Sequence, residues 1–270
     1  MSAIQSILVH LDAGPHGAVR LQTARALADR LGAGVTALYA VTPVYVQMAS
    51  NVIVGSAAEA LLALDAERAD KARELVTRAN GEPGATVQWR EEQEASEYAF
   101  IRHALYADLL VLGQRDRERP DTGVRPDFVQ SVVMASGKPA LLVPYIAKGP
   151  PRLDTILVAW KESREAAHAL TAALPLLHKA KTVHVAVDAA VQDHAELRQY
   201  LQRHGVEARC HTLITPAAEA GEMLLSMAAD VGADLMVMGC YGHSRTREFV
   251  LGGASRTVLD GMTVPVLLAH

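Results

Sequence analysis

The chain has 270 residues, half of them hydrophobic, which is enough apolar surface for one or two buried cores. Its formal charge is −4, with 26 basic side chains interleaved among 30 acidic ones, so no basic face for nucleic acid or anionic lipid is written into it; its two cysteines, Cys210 and Cys240, exclude a disulfide framework. No apolar run reaches the ~20 residues that span a bilayer, and the opening MSAIQSILVHLDAG lacks the basic start and long apolar stretch of a signal peptide, so a cytoplasmic location is expected.

In chain order, SILVHLDAG, from Ser6, reads as a first strand. Residues 42–57 read as a loop, and AAEALLALDAERADKARELVTRA after it as a long amphipathic helix. YADLLVLGQRD, from Tyr106, and GKPALLVP, from Gly137, each contain a further apolar strand. The segment from Tyr145 to Asp154 carries Gly149-Pro150-Pro151, which continues neither a helix nor a central strand and so reads as a linker. TILVAWKES, from Thr155, then opens a second series, with strands expected near 155–160, 181–187, 206–212, 234–239 and 265–269. Between them, SREAAHALTAALPLL, DHAELRQYLQRH and AAEAGEMLLSMAADVG repeat apolar residues at three- and four-residue spacing, as core-facing helices require.

The two series are versions of one another. YADLLVLGQRD matches GADLMVMGCYG, from Gly232, and GKPALLVP matches TVPVLLAH, from Thr263, with Asp108 over Asp234, Gly113 over Gly239 and Pro139 over Pro265. SILVHLDAG likewise resembles TILVAWKES. Strands alternating with helices indicate βαβ units, so an α/β architecture is expected, with two tandem domains at 1–146 and 153–270. Each is expected to hold a five-stranded, mostly parallel sheet between helices.

The strand DLMVMG is apolar on both faces and ends at Gly239, where GCYGHSRTREFVLGGASRTVL begins. Ligands of open parallel sheets bind beyond such strand ends, glycines let backbone N–H groups approach them, and a helix N-terminus favours anions. A helix beginning at Gly252 or Gly253 would aim the N–H groups of Gly253, Ala254 and Ser255 at a phosphate; alternatively Ser255 caps that helix. The spacing Gly239-x2-Gly242-x9-Gly252 is neither a Gly-x-x-x-x-Gly-Lys-Ser/Thr loop nor a Gly-x-Gly-x-x-Gly fingerprint. Arg245 and Arg247 either meet phosphate oxygens or form a solvated pair. No Gly-x-Ser-x-Gly elbow is present and Cys240-x2-His243 is only half of a zinc pattern, so no catalytic residue and no metal site are expected. His10 and His184 lie inside strands, where a satisfied core or semi-buried role is expected, and Cys210 and His211 point to opposite faces of one strand.

The glycine segment resembles that of the universal stress protein family, in its tandem form with two domains on one chain, and the likeness extends over both halves. The resemblance implies flavodoxin-like domains, Rossmann-like and of the adenine nucleotide alpha hydrolase-like type. It also implies binding of ATP or a related adenine nucleotide, with magnesium as an optional companion, in a stress-response sensor or regulator. It places Gly239, Gly242, Gly252, Gly253 and Ala254 at phosphate and ribose, with Val187 approximately at adenine. The family's Asp closing the first strand is Lys161 here, a donor in place of an acceptor. The first half keeps Asp12 at that position but has Asp116 for Gly242 and Pro126-Asp127 for Gly252-Gly253. Asp127 is therefore expected to satisfy the helix start from within and to close a first phosphate site. Asp12 is expected either at a ligand or in an ordinary turn. The resemblance further implies that ALLVP and VPVLLA pair within the chain as an intramolecular pseudo-dimer, with a homodimer as an extension. Nucleotide binding would order the loop from Cys240 to Leu251 and alter a surface read by an unidentified protein partner. The alternatives are a scaffold that binds no nucleotide, or a slow ATP hydrolase.

Overall fold

The computed structural model describes residues 4–47, 56–92, 96–118, 123–191, 193–216, 218–240 and 253–270. Strands and helices alternate as β1 (Ser6–Leu11), α1 (Gly17–Leu31), β2 (Gly34–Ala40), α2 (Val44–Gln47), α3 (Ser56–Asn80), β3 (Val87–Glu92), α4 (Ser96–Ala104), β4 (Leu109–Gly113), α5 (Phe128–Ser136) and β5 (Ala140–Val143). They continue as β6 (Thr155–Trp160), α6 (Arg164–Leu177), β7 (Thr182–Asp188), α7 (Ala195–Arg203), β8 (Ala208–Leu213), α8 (Ala220–Asp230), β9 (Leu235–Gly239), α9 (Gly253–Gly261) and β10 (Val266–Ala269). The α/β alternation is the one the apolar periodicity predicts. One departure is α2, which falls in the expected loop: Pro43 presets a helical turn, and Asp65 Oδ1 of α3 accepts the Val44 amide at 2.9 Å. Among the described residues, no helix is long and apolar enough to cross a membrane.

The chain divides into two compact units, an N-terminal unit of residues 3–138 and 148–150 and a C-terminal unit of residues 139–147 and 151–270. The N-terminal unit holds the parallel strands β3-β2-β1-β4. Ile7, Val9, Leu109, Leu110 and Val111 are fully buried, so β1 and β4 shed water from both faces, which is why their sequences are continuous apolar runs.

The C-terminal unit holds β5-β10-β9-β6-β7-β8. All neighbours are parallel except β5, which runs antiparallel to β10 through Leu142↔Val266, Leu141↔Leu267 and Ala140↔Leu268. The ALLV and VLLA segments therefore do meet within one chain. By packing, residues 139–147 group with the second series although the repeat assigns them to the first, and their strand pairs antiparallel with β10.

Asp108 and Asp234, matched in the repeat, do matching work. Asp234 accepts the amides of Asp154 and Thr155 at 2.9 and 3.2 Å, and Asp108 accepts those of Gln5 and Ser6 at 2.9 and 3.0 Å. Each carboxylate thus ties the entry of one central strand to the entry of its neighbour. Asp234→Ala strands two amide donors and is expected to cost about 1–3 kcal/mol in urea unfolding, whereas Asp234→Asn, which retains one acceptor oxygen, is expected to cost less.

Candidate functional site

In the C-terminal unit the chain runs from β6 outward through β7 to β8, then returns to β9 on the other side of β6. The reversal opens a crevice beyond the carboxyl ends of β6 and β9. It is an open cleft of about 560 Å³, walled by Ala159, Trp160, Lys161, Ala186, Asp188, Leu213, Met238 and Gly239 from the strands and by Ala166, Ala220, Leu224, Ala254 and Ser255 from the helices.

Of the residues singled out from the sequence, Lys161, Gly239, Ala254 and Ser255 thus surround one space. Gly253 begins α9 beside them and is exposed. Gly242 and Gly252, with His243, Arg245 and Arg247, lie outside the described residues. Val187 is fully buried, and its neighbours Ala186 and Asp188 form the wall instead, because alternate residues of a strand face opposite sides. Asp188, Trp160 and Leu213 were not anticipated. The available signal was their position: Trp160↔Val187 and Asp188↔Leu213 pair in register at the carboxyl ends of three neighbouring strands.

Two glycines here have different reasons. A Cβ on Gly239 would stand 2.5 Å from both Ala166 N and the Glu165 carbonyl carbon, backbone atoms of the first turn of α6 that cannot step aside singly. Close approach of α6 to β9 therefore requires glycine whatever the cleft holds. A Cβ on Gly253 would meet no other described residue within 4 Å. The two helix starts facing the cleft also differ. Ser163 caps α6, its Oγ accepting the Ala166 amide at 3.2 Å. At α9, Ser255 sits in the third helical position, only 7 % exposed, and its hydroxyl bonds to no other described residue.

The charged groups of the cleft stand at its rim. Asp188 is exposed, and its Oδ1 accepts the Ala190 amide at 2.9 Å, a short turn that fixes the carboxylate. Cys240, just past Gly239, is buried, and its thiol donates to the Ala269 carbonyl at 3.4 Å. Burial, reinforced by the Glu165 carboxylate, pushes its pKa well above the ordinary thiol range, so it remains an unreactive thiol at neutral pH.

The N-terminal unit has a cleft of about 640 Å³ at the corresponding place, lined by His10, Asp12, His16, Arg20, Gly113, Asp116, Arg125 and others. Its chemistry differs from the expectation. The Asp127 side chain does not cap the amides of α5; its carboxylate turns to Arg125, which grips both oxygens at 3.0 Å, because a two-pronged charged contact outcompetes capping. The strand end is occupied instead by Arg20, reaching in from α1. Its Nη1 lies 2.5 Å from where a Gly113 Cβ would be, and its Nη2 is 2.8 Å from Asp12 Oδ1, both side chains being nearly inaccessible. The ion pair is close but poorly aligned, so Nε and Nη2 make no well-directed hydrogen bond. Asp12 Oδ1 also accepts the Gly14 amide at 2.8 Å, so Asp12 is a turn residue as well as a counter-ion. Burial alone would raise its pKa, but Arg20, with His10 and the turn amide, outweighs burial and holds it down to about 2.

His10 lies behind this pair, 1 % exposed, between Phe100 and Phe128, with Nε2 3.0 Å from the Ala40 carbonyl. Burial lowers its pKa to about 4, an effect that Asp12 opposes and Arg20 assists. His184 and His211, on adjacent strands of the C-terminal unit, meet through Nδ1 and Nε2 at 2.9 Å. His184 is therefore a partnered, buried residue, in keeping with its place in a strand, while the partner itself is invisible without the register.

Comparison with known proteins agrees with the fold. A universal stress protein of Archaeoglobus fulgidus DSM 4304 superposes with a TM-score of 0.74 at 17 % identity, covering 100 % of this chain and 99 % of that one. A universal stress protein solved in complex with cAMP aligns with 53 % of this chain and 99 % of its own at 21 % identity, with a TM-score of 0.33. Universal stress protein Slr1230 of Synechocystis sp. (strain ATCC 27184 / PCC 6803 / Kazusa) is 26 % identical over 170 residues, which are 59 % of this chain and 57 % of that protein. The match thus spans little more than half of that curated relative. The profile of the universal stress protein family matches twice, over residues 3–144 and 152–270, and the chain belongs to that family.

Proposed function

We propose that the C-terminal unit binds ATP or a related adenine nucleotide in the cleft beyond β6 and β9, and that the protein is a cytoplasmic sensor or regulator whose N-terminal unit is structural. The observation that carries this reading is the polarity of the cleft. At one end stands the start of α9, with the exposed Gly253, the Ala254 methyl group and the buried Ser255 hydroxyl. Amides and dipole there suit phosphate, with or without magnesium on the phosphates. The other end offers Ala159, Ala186, Leu213 and Leu224, apolar walls suited to a flat heterocycle. In the N-terminal unit the buried Arg20–Asp12 pair fills the equivalent strand end, which supports assigning binding to the other unit.

Thermal and chemical unfolding with added nucleotide tests the proposal. A ligand at a hundredfold excess over its dissociation constant should stabilise the C-terminal unit by about 2.7 kcal/mol. Gly253→Asp is expected to abolish that response while leaving the unliganded stability nearly unchanged, since the new side chain meets no other described residue but sets a carboxylate against the phosphates. A flat response to nucleotides in the unaltered protein would instead favour the scaffold reading, in which the β5–β10 pairing and an unidentified protein partner carry the function.

A further inference from the structure

We propose that His184 and His211 form a two-point site for a divalent transition ion, copper(II) ahead of zinc, between β7 and β8; this stands independently of the nucleotide reading. In the parallel ladder His211 pairs with Ala186, two residues beyond His184, and side chains two apart on a strand share a face. The two imidazoles therefore meet on one side of the sheet, with His184 Nδ1 and His211 Nε2 2.9 Å apart. Their planes lie within 18° and their centroids 5.1 Å apart, close to the greatest separation such a contact permits, so the rings stand nearly end to end rather than face to face. Two ring nitrogens thus point at one another across a gap that a single hydrogen fills.

A metal ion suits that gap as well as a hydrogen does. Imidazole nitrogens bind zinc or copper at about 2.0–2.1 Å, so two of them on one ion stand roughly 2.9–3.3 Å apart, the lower figure for a square arrangement and the upper for a tetrahedral one. The separation between the two rings is already at the short end of that span, and a tilt of the rings turns both lone pairs onto one ion. His211 has room for the tilt, being half-buried on β8, the edge strand of the sheet. His184, only 8 % exposed, is the fixed partner. Among the described residues neither ring bonds to any other group. No proton has to leave the protein: whichever ring donates moves its hydrogen to its outer nitrogen through solvent, and both inner nitrogens then offer lone pairs. Burial first, then His211 and Arg209, lower the His184 pKa, so that it meets an ion as the neutral, ligating imidazole. Cys210 faces the other side of its strand, and among the described residues no third histidine, cysteine or carboxylate joins the pair. Water completes the coordination, which makes this an exchangeable site rather than a closed structural one.

Titration calorimetry of the full chain, free of any affinity tag, with zinc chloride and separately with copper(II) sulfate tests the site. One tightly held ion per chain is expected, copper bound more strongly than zinc. His211→Gln, at a half-buried edge position that tolerates the exchange, should weaken binding roughly a hundredfold, the advantage of a second ligand already in place. His103→Gln, which removes a ring paired with Glu92 in the N-terminal unit, should leave binding unchanged. Because His184→Gln is a buried change that can disturb folding, electron paramagnetic resonance of the copper-loaded protein supplies the second reading. Splitting from two nitrogens is expected in the unaltered chain and from one in His211→Gln. Undiminished zinc binding by His211→Gln, its loss in His103→Gln, a single-nitrogen copper spectrum of the unaltered chain, or no binding at all would each overturn the assignment.

Discussion

Lowering the pH from 7 to 4 is expected to remove about 3 kcal/mol of stability from the N-terminal unit, chiefly through His10. In the folded chain burial holds the His10 pKa near 4, whereas in the unfolded chain it returns to about 6.5. Between those values the unfolded state binds the proton and the folded state does not, so stability is full above pH 6.5, falls as the pH drops, and stops falling on this account below pH 4. Asp12 acts in the same direction over a lower window, from its ordinary 3.8 down to about 2, where protonation removes the partner of Arg20. Urea unfolding at a series of pH values measures the slope. His10→Gln preserves a donor for the Ala40 carbonyl but does not titrate, and it should flatten the limb between pH 6.5 and 4 while leaving the lower one in place. An unchanged limb would mean that His10 is not the group that charges.

The second large effect separates packing from ligand binding at the glycines. Gly239→Ala should destabilise the C-terminal unit by roughly 2–3 kcal/mol, because its Cβ would collide with two backbone atoms of α6 and the whole helix must move to admit it. Gly253→Ala meets no other described residue at a helix start and should leave stability unchanged or slightly raised. Gly113→Ala, the counterpart in the N-terminal unit, should be milder than Gly239→Ala, since its nearest obstacle is the Arg20 guanidinium, the far end of a flexible side chain. Melting curves of the three unliganded variants decide the matter. Equal costs at Gly239 and Gly253 would contradict the packing account.

Much of the architecture is readable from period and repetition alone. Continuous apolar runs at β1, β4, β6 and β9 announce strands covered on both faces, and the helical spacing between them forces parallel crossovers. The matched Asp108 and Asp234 are equally readable as a pair, although the amides they bind emerge only when neighbouring strands are placed. The candidate site is legible as far as backbone landmarks go, hence Lys161, Gly239, Ala254 and Ser255. Asp188 is missed because its significance lies in the register of β7 against β6, a relation between distant segments. Arg20 is missed for a similar reason: nothing in its helix says that a glycine on another strand will leave room for a guanidinium. Asp127 resembles a helix cap until Arg125, two residues earlier, is seen to hold it.

The antiparallel seam between β5 and β10 also dictates an order of events during synthesis. Its two halves are separated by every other strand of the C-terminal unit, so β5 leaves the ribosome long before the strand it must join exists. Until β10 arrives, the edge of ALLV that β10 covers stays open, the condition in which chaperones engage nascent chains and neighbouring copies on a polysome exchange strands. Closing a contact over so long a stretch of chain is slow compared with forming the local βα units. The linker with Gly149-Pro150-Pro151 thus does more than separate two repeats: it keeps the early strand from being drawn into a continuous helix while the rest of its unit is being made.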